Sequence, residues 1–364
     1  MKKTYKVDKV LFLGDTHFGA RRDSLAFQDH FTKFYTHQLL PYIKDNNIKY
    51  IIQFGDFFDN RKSTNTRTLR YLKDIFIDPL AELGCEMFIL CGNHDLFHKN
   101  IMQPNNIREN LNHYKHLHII DEITTVKLGK TSIDLVPWIC EENEQNIVDY
   151  INESKSDICC GHFELSGFNM HRGMINEHGK PSNFLNKYHA VYSGHYHTSS
   201  DGENIKYLGT PYEITWNDCG DLKGFYIFDT NSQTTEFQQN PYKMHHKIIY
   251  SDKNEPFDLD GFDYNFHKEA FIKIIVDVKH DIPAFERFVE KLWKNSEPLD
   301  ITITDITLAY RDVDIESIET QDPLTALINT IDNDKANTVN MDVNSIKKLA
   351  EEIHSEALLM VYEG

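Results

Sequence analysis

A chain of 364 residues that is 40% hydrophobic, 12% aromatic and 26% charged has ample material for the core of one large domain or two. That composition excludes disordered, collagenous and coiled-coil proteins. The net charge of −18 argues on its face against a nucleic-acid partner, but residues 312–364 hold twelve Asp/Glu against three Lys and so carry half of it. A local basic groove upstream stays possible.

No apolar run reaches the roughly 18 residues of a membrane span, and Met1-Lys2-Lys3-Thr4-Tyr5-Lys6 lacks the apolar stretch of a signal peptide. Neither secretion nor a membrane is expected. The six cysteines show no CxxC pair, and several lie inside apolar runs, which predicts reduced thiols in a cytoplasmic protein.

In chain order, short apolar runs alternate with helix-like stretches as far as about residue 230, the pattern of an α/β protein. The runs are Val10–Leu13, Tyr50–Phe54, Met87–Leu90, Ile158–Cys160 and Ala190–Tyr192. Between the first two, Ser24 can cap a helix whose Leu25, Phe31, Phe34, Tyr35 and Leu39 recur at helical spacing; Leu69, Leu72, Phe76, Leu80 and Leu83 do so between the next two, with a kink expected at Pro79. Thr125–Leu128 and Thr131–Val136 flank a Gly129-Lys130 turn, and Gly224–Phe228 runs into Asp229-Thr230-Asn231, so hairpins and a second sheet are predicted.

Over 232–245 the apolar pattern lapses, which marks a domain boundary. Beyond it Phe271–Val278, Pro283–Trp293 and Ile301–Leu308 read as strand, helix, strand. Residues 312–342 look like an acidic linker broken by the short apolar run Leu324–Ile331. Ile346, Leu349, Ile353 and Leu358 then share one face of a predicted helix.

Each of the five apolar runs ends, directly or within a residue, in a glycine followed by side chains able to bind metal. They are Gly14-Asp15-Thr16-His17, Gly55-Asp56-Phe57-Phe58-Asp59, Gly92-Asn93-His94-Asp95, Gly161-His162 and Gly194-His195-Tyr196-His197. A buried strand delivers the chain to the sheet edge, glycine permits a sharp turn, and the next side chain projects over the carboxyl ends of the strands, where α/β proteins hold ligands. Any one instance is an ordinary turn or cap. Five after five strands are a constellation.

Asp, Asn and His without cysteine suit divalent ions such as Mn, Fe, Zn or Mg. Asp15, His17, Asp56, Asn93, His162, His195 and His197 are too many donors for one ion, so two ions sharing a bridging carboxylate are expected. Such a pair lowers the pKa of a water and clamps a phosphoryl group, which predicts phosphoester hydrolysis. His94, beside a ligand, is placed to protonate the leaving oxygen. Asp59 and Asp95 can orient that histidine, and Asp95 reads equally well as a turn or cap residue.

These motifs resemble the calcineurin-like metallophosphoesterase superfamily. Within it, Gly55-Asp56-Phe57-Phe58-Asp59-Asn60-Arg61-Lys62 is more similar to the SbcD-type recombination nucleases than to the protein phosphatases. Asp134-Leu135-Val136-Pro137-Trp138-Ile139-Cys140-Glu141-Glu142-Asn143 and Leu208-Gly209-Thr210-Pro211 look closer still to the recombination endonuclease subunits of tailed phages. The likeness covers residues 8–230.

It implies a four-layer α/β/β/α sandwich over residues 1–235, a small α/β DNA-capping domain over 245–311, and a linker with a helical segment over 312–364 that docks on an SbcC-type coiled-coil ATPase. It further implies two manganese ions, with magnesium as the alternative: Asp15, His17 and His197 on one, Asn93, His162 and His195 on the other, and Asp56 bridging. His94 becomes the catalytic histidine. Some family members carry histidine where this chain has Asp59. The implied assembly is a homodimer within a heterotetramer, acting on DNA ends, duplex or single-stranded, in recombination, repair and replication. Its place is the cytoplasm, that of the host if the chain is phage-encoded.

For DNA, Arg21 and Arg22 follow the first ligand loop and Arg61 and Lys62 the second, where contacts to the phosphate backbone are useful. Arg67 and Arg70 read rather as a solvated helix face, and Trp138, Trp216 and Trp293 as packing residues. Two other functions compete with the nuclease. A phosphomonoesterase or nucleotide phosphodiesterase would use the same dimetal centre; a non-catalytic DNA-end scaffold would lack a ligand, and none is missing.

Overall fold

The computed structural model describes residues 4–171 and 173–306. The linker and partner-docking segment expected over 312–364 lie outside them.

All five apolar runs are strands, and they divide between two sheets. Lys9–Leu13, Tyr50–Gln53, Glu86–Leu90 and Leu117–Ile120 lie parallel in a six-stranded sheet, which the antiparallel hairpin Gly224–Asp229 and Thr234–Gln239 completes beside Lys9–Leu13. Ile158–His162 and Ala190–Gly194 are parallel neighbours at the middle of a seven-stranded mixed sheet, flanked by the hairpin Thr124–Leu128 and Thr131–Val136.

The period-two alternation of strand side chains sets the layers. Val10, Phe12, Ile52, Phe54, Phe88 and Leu90 face the second sheet, where they meet Val126, Ile133, Leu135, Ile158, Cys160 and Tyr192. The alternate residues Leu11, Leu13, Ile51, Met87 and Ile89 pack against Phe27, Phe31, Phe34, Leu72 and Phe76 of the helices outside. On the far side Val136, Cys159, Val191 and Tyr207 bury Ile147 and Ile151 of the helix Glu144–Glu153. The order is helices, sheet, sheet, helix.

Both outer helices of the first layer change pitch. Leu25–Phe34 passes through a π-helical stretch Tyr35–Leu39 into Leu40–Asp45, and Thr66–Leu72 through Lys73–Ile77 into Asp78–Glu82. In each case a proline, Pro41 or Pro79, opens the following segment, because its missing N–H favours a break in the i to i−4 ladder. Ser24 occupies the first helix's cap position without a side-chain cap bond.

The polar stretch 232–245 contains the strand Thr234–Gln239, an edge strand whose partly exposed faces leave no apolar alternation to read. His245–Ser251, Phe271–Val278 and Asp300–Asp305 then form a parallel three-stranded sheet that buries Ile248, Tyr250, Ile272, Ile274 and Val276 under Phe285, Phe288 and Leu292 of the helix Ile282–Ser296. The six cysteines are free, five of them buried. Among the described residues no helix is long and apolar enough to cross a membrane.

Candidate metal centre

The loops after the five strands converge at one edge of the two sheets, and backbone strain marks the place. Asp56, His17 and His195 hold φ of 46°, 43° and 87°, left-handed values that cost energy for side chains other than glycine and are retained where they aim a group. Gly55 has φ 95°, with room for no Cβ, since one there would lie 2.4 Å from His162 Nδ1. At Gly194 a Cβ would meet Asp15 Oδ1 and the Phe54 carbonyl, both at 2.4 Å. Glycine here lets the loops of opposite sheets touch.

Two buried polar side chains fasten the loops. Gln53 donates from Nε2 to the carbonyls of Gly55 (2.7 Å) and Gly14 (3.3 Å). Asp95 is fully buried and accepts from the N–H groups of Gly92 (2.9 Å), Phe58 (3.0 Å) and Phe57 (3.2 Å). The Asp95 carboxylate therefore ties the second loop to the third and caps the turn Asn93–Asp95.

Ligand atoms fall into groups each compact enough for one ion: Asp15, His17 and His197; and Asp56, His162 and His195. In the first, His17 Nε2 and His197 Nε2 face each other at 3.2 Å. In the second, His162 Nε2 lies 3.0 Å and His195 Nδ1 2.9 Å from Asn93 Oδ1, and His162 Nε2 lies 3.4 Å from Asp56 Oδ1. Asp56 Oδ2 reaches toward the other group, 3.9 Å from His17 Nε2. One carboxylate spans both.

The partners behind the rings fix which nitrogen points inward. His162 Nδ1 donates to the Phe54 carbonyl at 2.6 Å, so Nε2 is the inward donor atom. His17 Nδ1 lies 3.1 Å from Asp59 Oδ1, which aims its Nε2 in the same way. His94 Nδ1 meets the Asp59 carbonyl at 2.7 Å, and His94 N–H donates to Asp56 Oδ1 at 2.8 Å. Asp59 thus serves two histidines, with its carboxylate and its backbone. His17, Asp59 and His94 also form a third group that could hold an ion.

The donor set fits divalent cations. Burial alone would lower His17 and His162, yet Asp59, Asp56 and Asp15 raise the first and Asp56 and Asp15 the second, each to about 9, the mark of a strongly negative enclosure. Burial acts to raise Asp56, and His162, His94 and His17 outweigh it to hold the carboxyl well below its ordinary range. His195 is pushed well down by burial and by its neighbour His162, which leaves a neutral imidazole. Among the described residues Asp15 Oδ1 is buried without a hydrogen-bond partner. Oxygen and imidazole donors facing one another at 3–4 Å, in a field that calls for positive charge, are what two shared ions require.

Sequence reasoning passed over Asp218 and Lys223. Asp218 lies 3.9 Å from His197 Nδ1, and Lys223 Nζ bridges Asp218 Oδ1 and the His197 carbonyl, both at 2.7 Å. Neither residue follows a strand and a glycine, so no local signal announced them.

Arg21 and Arg22 are exposed, each with left-handed φ (55° and 60°), and Lys62 is exposed beyond the second loop. Arg61 is half-buried, its Nε without a hydrogen-bond partner among the described residues. Among the described residues none of these four makes an ion pair, whereas Arg70 pairs with Asp74 and Arg67 donates to the Asp23 carbonyl.

A family model for the calcineurin-like phosphoesterases matches residues 8–199. Exonuclease subunit 1 of Enterobacteria phage T4 is 34% identical over 353 residues, covering 96% of this chain and 99% of that protein. Among solved structures, an archaeal phosphodiesterase matches at 12% identity over 64% of this chain and 99% of its own, with a TM-score of 0.33. A dimetal phosphatase from Danio rerio matches at 11% over 62% and 93%, with a TM-score of 0.35. With the family model covering more than half of the chain, and a relative aligned along nearly the whole of it, this protein belongs to the calcineurin-like phosphoesterase family.

Proposed function

We propose that this chain is the nuclease subunit of a DNA-processing complex, hydrolysing phosphodiester bonds at DNA ends with two divalent ions, manganese in preference to magnesium. The observation that carries the reading is Asp56, set with one oxygen toward His162 and the other toward His17, between two groups of ligands. The T4 relative, an exonuclease subunit by name, supports DNA as the substrate, as do four cations beside the ligand loops that make no ion pair among the described residues.

Asp15, His17 and His197 would hold one ion, Asn93, His162 and His195 the other, and Asp56 both. A bound pair supplies a water acidic enough to attack at neutral pH and neutralises the attacked phosphoryl group. Asp59 and Phe54 orient His17 and His162, and Asp95 holds the loops that carry Asp56 and Asn93 in register. His94, with Nδ1 committed to the Asp59 carbonyl, keeps Nε2 for the proton passed to the leaving oxygen. Arg21, Arg22, Arg61 and Lys62 take the DNA phosphates on either side.

The test is digestion of end-labelled linear duplex with manganese, with magnesium and with chelator, beside a small chromogenic phosphodiester. Manganese-dependent DNA cleavage that vanishes in Asp56→Ala is expected. Rapid turnover of the small ester with intact DNA would instead identify a nucleotide phosphodiesterase or phosphomonoesterase.

The same reading divides the chain into the nuclease over 1–235, a DNA-capping unit over 245–311 and a partner-binding segment over 312–364. The separate core of the three-stranded sheet supports the middle unit. Truncation at residue 312 should leave manganese-dependent cleavage intact and abolish co-purification with an SbcC-type ATPase, reducing a heterotetramer built on a homodimer to the nuclease alone. A truncated chain that still carries the ATPase would refute the docking role.

A further inference from the structure

Beside the metal centre, between the loop after Thr131–Val136 and the chain leaving Ile158–His162, lies an open cavity of about 40 Å³. Its lining is apolar and largely aromatic, from Trp138, Phe163 and Phe184 with Ile139 and Leu165. The polar exceptions are Glu164, exposed to solvent, and Lys180, whose Nζ pairs with Glu144 at 2.6 Å. His162 lines the cavity too, while its Nε2 faces Asn93 and Asp56 in the metal centre.

Trp138 lines the cavity and also touches the metal centre. Its ring centroid lies 5.2 Å from that of His195 and 5.9 Å from that of His162, so the indole packs against two of the ligand rings. It is only half-buried, and its Nε1–H makes no hydrogen bond among the described residues. A tryptophan serving the core alone is ordinarily covered and satisfied.

From the cavity's aromatic lining and its sharing of His162 with the metal centre we infer that it is a nucleobase subsite, in which the base of the terminal nucleotide stacks on Trp138 while its phosphate lies at the metal centre. The inference rests on the nuclease reading above and adds what that reading leaves open, namely how the enzyme holds the nucleotide it removes. Base stacking on an aromatic ring is tolerant of sequence, as end resection demands. An unstacked base is held against aromatic and apolar surface with polar groups at the edge, such as Glu164 and Lys180 offer.

The experiment compares a normal end-labelled strand with one abasic at its terminal nucleotide, each digested with manganese by wild type, Trp138→Ala and Trp138→Phe. Stacking predicts that Trp138→Ala slows the normal end by about tenfold or more, that the abasic end is cleaved by wild type and Trp138→Ala at the same reduced rate, and that Trp138→Phe recovers most of the loss. Equal losses on both substrates in Trp138→Ala would make Trp138 a prop for His195 and His162 and overturn the subsite. So would unchanged cleavage of the normal end. A wild-type protein that cleaves neither substrate would overturn the nuclease reading, and the subsite with it.

Discussion

Replacing His94 by asparagine should reduce DNA cleavage by about 10²- to 10⁴-fold, the span lost with a general acid, while manganese content and DNA affinity stay near those of wild type. The geometry makes this separable. His94 reaches Asp56 through its backbone N–H, a bond the substitution keeps, and its ring is held by the Asp59 carbonyl 2.7 Å from Nδ1. The competing possibility is concrete, because His94, His17 and Asp59 lie close enough together to hold an ion. Metal analysis after dialysis decides between them. Retained metal with lost cleavage assigns the proton-transfer role, and loss of one equivalent of metal would make His94 a ligand.

Much of this centre was legible in the sequence because its donors sit where local rules speak loudly. Strand, glycine and donor are contiguous in the chain, so Asp15, Asp56, Asn93, His162 and His195 each announce themselves within a few residues. What was not legible depends on contacts distant in sequence. Asp95 carries the same local signature as a catalytic partner, yet its carboxylate is spent on the N–H groups of Gly92, Phe57 and Phe58. Asp59 serves His17 with its side chain and His94 with its carbonyl, and no pattern distinguishes a side chain's role from that of its backbone.

The fold divides along the same line. Buried strands announce themselves by apolar runs, and the alternation of Val10 and Phe12 with Leu11 and Leu13 assigns each face of the first sheet to a layer. Thr234–Gln239 does not, since an edge strand with a partly solvated surface has no reason to be apolar. His245–Ser251 opens with two histidines and a lysine, and only its later Ile248 and Tyr250 reach the small core. The π-helical stretches are invisible to a search for periodicity at 3.6 residues, although the prolines that follow them hint at a break.

The second large effect is expected at Asp218. Its buried carboxylate accepts from the N–H groups of Thr215 (2.7 Å) and Ile214 (3.0 Å) and pairs with the equally buried Lys223 at 2.7 Å. Burial acts to raise its pKa, and Lys223 with His197 outweighs that, holding it well below the usual carboxylate range. Asp218→Ala would take from the buried Lys223 ammonium its 2.7 Å carboxylate and leave it only Asp221 at 3.5 Å, a loss of about 3 kcal/mol. It would also remove the anion behind His197, for which metal affinity should fall about 10- to 100-fold. Denaturant unfolding of metal-free protein reads the first effect and calorimetric titration with manganese the second. The double variant Asp218→Ala with Lys223→Met should recover part of the stability, because the buried ammonium is then gone while Asp221 keeps the Thr198 hydroxyl, but none of the affinity. If affinity returns with stability, Asp218 is a scaffold residue only. If affinity stays low while the fold is restored, the carboxylate positions His197 for its ion.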